Sequence, residues 1–153
     1  MSTNPEVFIR RTKLRRKFEE AFRSLNLSVR ARAKAEGKEP FFTKYSDHLL
    51  DRAIQREIDE EYVFSVLSKI PNHLKEINEF LAMPWLPIDP KDIDENIEYK
   101  PMRLEITDGN LWLGFTMDIP RPGKGPSIKC RMAFVNDKRL KGKIRSEEHT
   151  SEL

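Results

Sequence analysis

The chain has 153 residues, 38% of them hydrophobic and 35% charged, with a formal net charge of +3. That length supplies one core rather than two; the polarity excludes an integral membrane protein, and nine Phe, two Trp and three Tyr exclude a wholly disordered chain. A single cysteine, Cys130, excludes an intramolecular disulfide and a thiolate zinc site.

No apolar run approaches the roughly 20 residues that span a bilayer, and the N-terminus lacks the apolar centre of a signal peptide, so the expected location is the cytoplasm, with no membrane partner. The charge is segmented. Residues 1–40 carry +6, 41–99 carry −7, 100–144 carry +6 and 145–153 carry −2. Two basic segments around an acidic one can share a face, as a protein that grips a polyanion requires, or can simply solvate helix surfaces. Nucleic acid is the leading expected partner.

In chain order, Asn4-Pro5 reads as a helix start, with Asn as cap and Pro at the first helical position. Phe8, Leu14, Phe18, Ala21, Phe22, Leu25 and Val29 then follow helical steps, which predicts a long helix ending before Gly37. Its polar faces carry Arg10, Arg11, Lys13, Arg15, Arg16, Lys17 and Arg23, a pattern that suits RNA, anionic lipid, a partner groove or plain solvation.

Ser46 can cap a second helix from Asp47 to about Glu57, and Asp59 a third from Glu60 to about Ile70, where Pro71 stops it. Leu50, Ala53, Ile54 and Ile58 form the expected buried side of the second. His48, Arg52 and Arg56 are four apart and share another face, aligning one imidazole with two guanidiniums.

His73 to Phe80 is expected to be extended, and Pro84, Pro87 and Pro90 with Asp89, Asp92, Asp94 and Glu95 to form an acidic irregular loop. From Met102 the pattern reads as strand, turn at Asp108-Gly109-Asn110, strand Leu111–Met117, a Pro/Gly-rich loop over 120–126, and strand Ile128–Asn136. Alternation sends Leu104, Ile106, Leu113, Phe115, Cys130, Met132 and Phe134 toward the helices, with Lys129 and Arg131 on the opposite face. There is no internal repeat.

The last nine residues read like the translated sequence of a sequencing adaptor. A single domain is therefore expected over 1–144, with 145–153 not native, which leaves His48 and His73 as the candidate histidines.

Gly123-Lys124-Gly125 lacks the spacing of a P-loop, and the acids of 89–98 lack that of an EF-hand, so neither nucleotide nor metal chemistry is expected and no cofactor is implied. A histidine beside arginines suits RNA cleavage without a metal. A base takes the 2′-hydroxyl proton, the oxygen attacks the adjacent phosphorus, and cations stabilise the growing phosphoryl charge. From spacing alone, a helix-surface histidine beside arginines is more often simply solvated or hydrogen-bonded.

The stretches Glu6–Arg11, Lys44–Ser46, His48–Glu60, Asn78–Leu81, Arg103–Thr116 and Cys130–Ala133 run in order through most of residues 5–143 and resemble the RegB family of phage endoribonucleases. The resemblance implies an α+β fold, N-terminal helices packed on a twisted antiparallel sheet of about four strands, as in RelE-type toxins. It implies a metal-independent enzyme that cuts early phage mRNA at purine-rich translation-start sites such as GGAG, leaving 2′,3′-cyclic phosphate and 5′-hydroxyl ends. It further implies the host cytoplasm as location and small-subunit ribosomal protein S-one as activator; a monomer is expected.

Carried over by position, His48 matches a histidine the family needs, and Arg52 lies in the same block as the candidate for the scissile phosphate, an ion pair with Asp47 or Asp51 being its alternative. A second family histidine falls at Ser68, whose hydroxyl does not titrate near neutrality, and His73 is the candidate substitute if the fold sets it opposite His48. Lys44, Tyr45, Arg56, Lys129 and Arg131 are the candidate RNA-binding residues, and Trp112 can stack on a base or pack inside. Two other readings remain: a non-catalytic RNA-binding repressor using helix-turn-helix spacing around Asp59, and a toxin-like nuclease that acts only on the ribosome.

Overall fold

Six apolar side chains spaced three or four apart, Leu14, Phe18, Phe22, Leu25, Val29 and Ala33, line one face of α1 (Pro5–Glu36) and are all buried. Burying a Leu or Phe side chain contributes roughly 1.5–3 kcal/mol, so this stripe fixes α1 as the spine of the core. Phe8 and Ile9 are exposed, because the first turns of α1 run beyond the elements that pack on it. The computed structural model describes residues 5–119, 121–123, 125–135 and 148–152, so the proposed Asn4 cap lies outside the described residues. Gly37 takes a left-handed φ of 67° and lets Lys38 N–H return to Ala33 O at 2.8 Å, closing the helix.

A short strand, β1 (Phe42–Tyr45), follows where no strand was expected. It leads into α2 (Asp47–Gln55), whose cap Ser46 accepts from Leu49 N–H, and α3 (Glu60–Leu67), whose cap Asp59 accepts from Glu61 N–H. Leu49, Leu50 and Ala53 form the buried side of α2, with Ile54 and Ile58 only partly buried. The segment expected to be extended is instead a 3-10 turn (Ile70–His73) followed by α4 (Leu74–Leu81). Leu74, Ile77 and Phe80 are three apart, a helical period, and all three are buried.

The irregular loop is present, with one 3-10 turn at Pro90–Asp92. It is pinned by Lys100 N–H to Pro84 O at 2.7 Å and by the Lys100 ammonium 4.1 Å from the Trp85 ring centroid.

The remaining strands are β2 (Arg103–Thr107), β3 (Leu111–Met117), β4 (Ser127–Val135) and β5 (Glu148–Glu152). The sheet order is β1-β4-β3-β2-β5. β2-β3 and β3-β4 are antiparallel, but β1 runs parallel to β4 and β5 parallel to β2. The fold is α+β as expected, while the sheet is mixed rather than antiparallel, since β1 reaches the sheet from the helical half of the chain and not through a hairpin.

A bulge in β4 corrects the assignment of faces. Phe115 pairs with Cys130 and Gly114 with Met132, leaving Arg131 as the extra residue. Beyond it the alternation reverses. Ala133 enters the core, whereas Met132 and Phe134 leave it and share the outer face with Lys129.

Candidate active site

The site is built on α2 and the sheet beside it. Asp47 and Asp51 face α1, where Arg15 Nη2 is 3.2 Å from Asp47 Oδ1 and Arg11 Nε is 2.9 Å from Asp51 Oδ1. Both carboxylates that could have held Arg52 are therefore engaged elsewhere. On the open side of α2, Arg52 Nε donates to His48 Nε2 at 3.1 Å. Arginine has no acceptor, so the direction of this bond is fixed and the Nε2 lone pair receives it.

Arg56 completes the spacing but not the site. Its Nη1 donates to Ala133 O at 2.9 Å and its guanidinium lies 6.0 Å from the Phe134 ring centroid, so it caps the β4 edge that β1 leaves uncovered. Trp112 is buried and stacked on Phe134 at 6.3 Å, so it packs rather than presenting a face for a base.

The structure does not set His73 opposite His48. Asp47 meets α1 at Arg15, whereas Asn72, next to His73, bonds Arg32. Those arginines are separated by about 25 Å along the helix at a rise of 1.5 Å per residue. His73 Nδ1 lies 3.9 Å from Glu76 Oε1 on its own segment. Ser68 is exposed at the end of α3, its hydroxyl donating to Ser65 O at 2.7 Å.

Register gathers the other candidates. Lys44, Lys129, Thr116 and Arg103 occupy one row across β1, β4, β3 and β2. The neighbouring row, Tyr45, Cys130, Phe115 and Leu104, turns the opposite way into the core, so the cationic row lies on the outer face of the sheet. Arg131, freed by the bulge, reaches this row through Nε to Thr116 Oγ1 at 2.6 Å. Lys44 Nζ is 3.1 Å from Asp118. The Ser127 hydroxyl, against some burial, and then the Lys44 and Lys129 ammoniums hold the Asp118 carboxyl below its ordinary range. Burial and then the Glu19 carboxylate push the Tyr45 hydroxyl upward. Burial pushes the Cys130 thiol to about 12, which removes it as a nucleophile.

Lys44 and Lys129 also line a groove between α1 and β1, in two lobes of about 890 and 620 Å³, and Tyr45 lines the smaller one. The sequence reading missed this groove. Its helical wall presents Arg23, Asn26 and Arg30, and their spacing of three and four was the available signal. Among the described residues, no group of three or more His, Cys, Asp or Glu side chains could hold a metal ion, and no helix is long and apolar enough to cross a membrane.

The family described as T4-phage endoribonuclease RegB matches residues 3–149. Endoribonuclease RegB of Enterobacteria phage T4 is 58% identical over 144 residues, 94% of each chain. The solution structure of the phage T4 endoribonuclease RegB aligns with a TM-score of 0.65 at 56% identity, covering 95% of each chain.

Proposed function

Because the chain belongs to the RegB family and is an endoribonuclease, we propose that it cuts early phage mRNA at purine-rich, GGAG-like translation-start sites without a metal ion. The observation that carries this reading is the Arg52–His48 bond on the open side of α2. The non-catalytic repressor reading is not retained.

In the proposed reaction an RNA phosphate draws the Arg52 guanidinium away from His48, which exposes the Nε2 lone pair. His48 takes the 2′-hydroxyl proton as the O2′–P bond forms. Arg52 donates to the phosphoryl oxygens as their charge grows, and its planar fork suits that geometry. The P–O5′ bond breaks and the leaving oxygen takes a proton from solvent, giving a 2′,3′-cyclic phosphate and a 5′-hydroxyl end. Lys44, Lys129 and Arg131 hold flanking phosphates, while the Tyr45 ring, packed on Phe18 and Phe22, lines the groove beside them. His73 lies too far along α1 to serve as the acid. The enzyme works as a monomer in the host bacterial cytoplasm, with ribosomal protein S-one as its activator.

The test incubates the protein and its His48→Ala variant, in chelator, with RNAs bearing GGAG or the same bases scrambled, and maps the fragment ends. Cutting within GGAG that leaves a cyclic phosphate and vanishes in the variant is expected. Scrambled RNA cut equally well overturns the selectivity; a chelator that stops the reaction overturns the mechanism.

A further inference from the structure

We infer that the groove between α1 and β1 is a second RNA subsite, which holds the single strand flanking the cut through Arg23, Arg30 and Arg121. The inference deepens the RNA-cutting reading above and rests on it.

Charge is the first argument. The two lobes share Arg30, Lys44 and Lys129, and the groove as a whole presents five cations against Glu19 and Asp118. Asp118 is already engaged by the Ser127 hydroxyl at 2.7 Å and by Lys44. Arg23, Arg30 and Arg121 are exposed, and among the described residues none has a carboxylate within ion-pair distance. Three guanidiniums in a concave, low-dielectric surface raise the local concentration of anions, and each offers a fork that fits a phosphate.

The floor of the groove argues for a nucleic acid over a peptide. Asn26 Nδ2 donates to Thr43 O at 3.0 Å, and Asn26 Oδ1 accepts from Thr43 N–H at 2.8 Å and from its hydroxyl at 2.6 Å. The outward backbone groups of β1 at Thr43 are thereby occupied, so an extended peptide cannot add there as a strand. Phe42, 47% exposed with the Lys44 ammonium 6.0 Å from its ring centroid, offers aromatic surface for a base.

Continuity is the third argument. Tyr45 lines the groove, and His48 follows it by three residues on the same β1-to-α2 path. A strand lying along β1 therefore runs toward the start of α2, the helix that carries His48.

The test uses uncleavable 2′-O-methyl RNAs with one purine-rich core, one of about six nucleotides and one of about twenty, titrated over a range of salt. The Arg23→Gln, Arg30→Gln, Arg121→Gln triple variant should bind the long probe at least about tenfold more weakly. Its salt slope should shrink by roughly 2, at about 0.7 per single-strand phosphate contact, with the short probe unaffected. The triple Lys variant should recover most of the long-probe slope. Long-probe affinity and slope equal to those of the unmodified protein overturn the inference, and so does equal weakening on both probes. Failure of the cutting reading shows separately, as no cleavage of 2′-hydroxyl RNA by the unmodified protein, while the probes still report the groove.

Discussion

Arg52 and His48, one helical turn apart on α2, are joined by a 3.1 Å hydrogen bond from the guanidinium Nε to the imidazole Nε2. The pair forms because α1 takes the neighbouring acids: Arg11 and Arg15 hold Asp51 and Asp47, which leaves the Arg52 guanidinium to His48 and, at 3.4 Å, to the Gln55 side-chain oxygen. Under the proposed reaction the two residues separate on binding substrate, one turning to phosphate and the other to the 2′-hydroxyl. Loss of His48 should lower the cleavage rate by ~10²–10⁴-fold, with the melting temperature little changed because the ring is exposed. Arg52→Lys should lower kcat more than it raises KM, since an ammonium keeps the charge but not the fork. Single-turnover kinetics on a GGAG RNA check both.

Ser68 gives a second expectation. It is exposed at the end of α3, so Ser68→His should fold with stability changed by no more than about 0.5 kcal/mol. The family resemblance sets a histidine at this position, so supplying that titratable group should raise the cleavage rate and add a new inflection near neutral pH. Rate-against-pH profiles of the two proteins decide it.

Asn26 is the side chain that closes the outer edge of β1, making three hydrogen bonds to Thr43, which is 1% exposed. Asn26→Leu should strand the Thr43 N–H and C=O, costing roughly 2–4 kcal/mol, and should open an edge to intermolecular pairing. A lower denaturant midpoint together with concentration-dependent aggregation is the expected result.

Glu57 holds a left-handed φ of 52° just after α2 and permits Ile58 N–H to reach Ala53 O at 3.1 Å. A non-glycine residue there costs about 1 kcal/mol, so Glu57→Gly should raise stability by up to that amount. Replacement by Val should lower it. Thermal melts of the two variants give opposite signs.

Three carboxyls are held below their ordinary range and make stability depend on acid pH. The Tyr62 hydroxyl, 2.6 Å from Asp108, and the Leu111 and Asn110 amides outweigh burial and hold Asp108 below its ordinary 3.8. Asp118 is lowered by Ser127 and then Lys44, and Glu60, ordinarily 4.5, chiefly by Lys17. Folded values below unfolded ones mean that the unfolded chain binds more protons in between. The contribution of these three groups to stability is therefore present above their unfolded values and is lost as pH falls through the folded ones. Tyr62→Phe should cost about 1 kcal/mol near neutrality and soften this acid loss, as melting temperature against pH would show.

Much of the fold was legible in local chemistry. The apolar stripe of α1, the Ser46 and Asp59 caps and the Asp108-Gly109-Asn110 turn all act within a few residues, and each appears where the pattern put it. So did the spacing that joins His48 to Arg52, because residues four apart on a helix are neighbours in any fold. The helical period of Leu74, Ile77 and Phe80 was also present but short enough to pass for a strand. Interactions far apart in sequence decided the rest. β1 became a strand only by pairing with β4, and the bulge at Arg131 reversed the faces of Met132, Ala133 and Phe134. α1 claimed the acids of α2 and held His73 away from His48. The sequence by itself thus determined which residues could do chemistry. The tertiary structure decided which of them meet, since burial and long-range hydrogen bonding act on distances that sequence spacing does not encode.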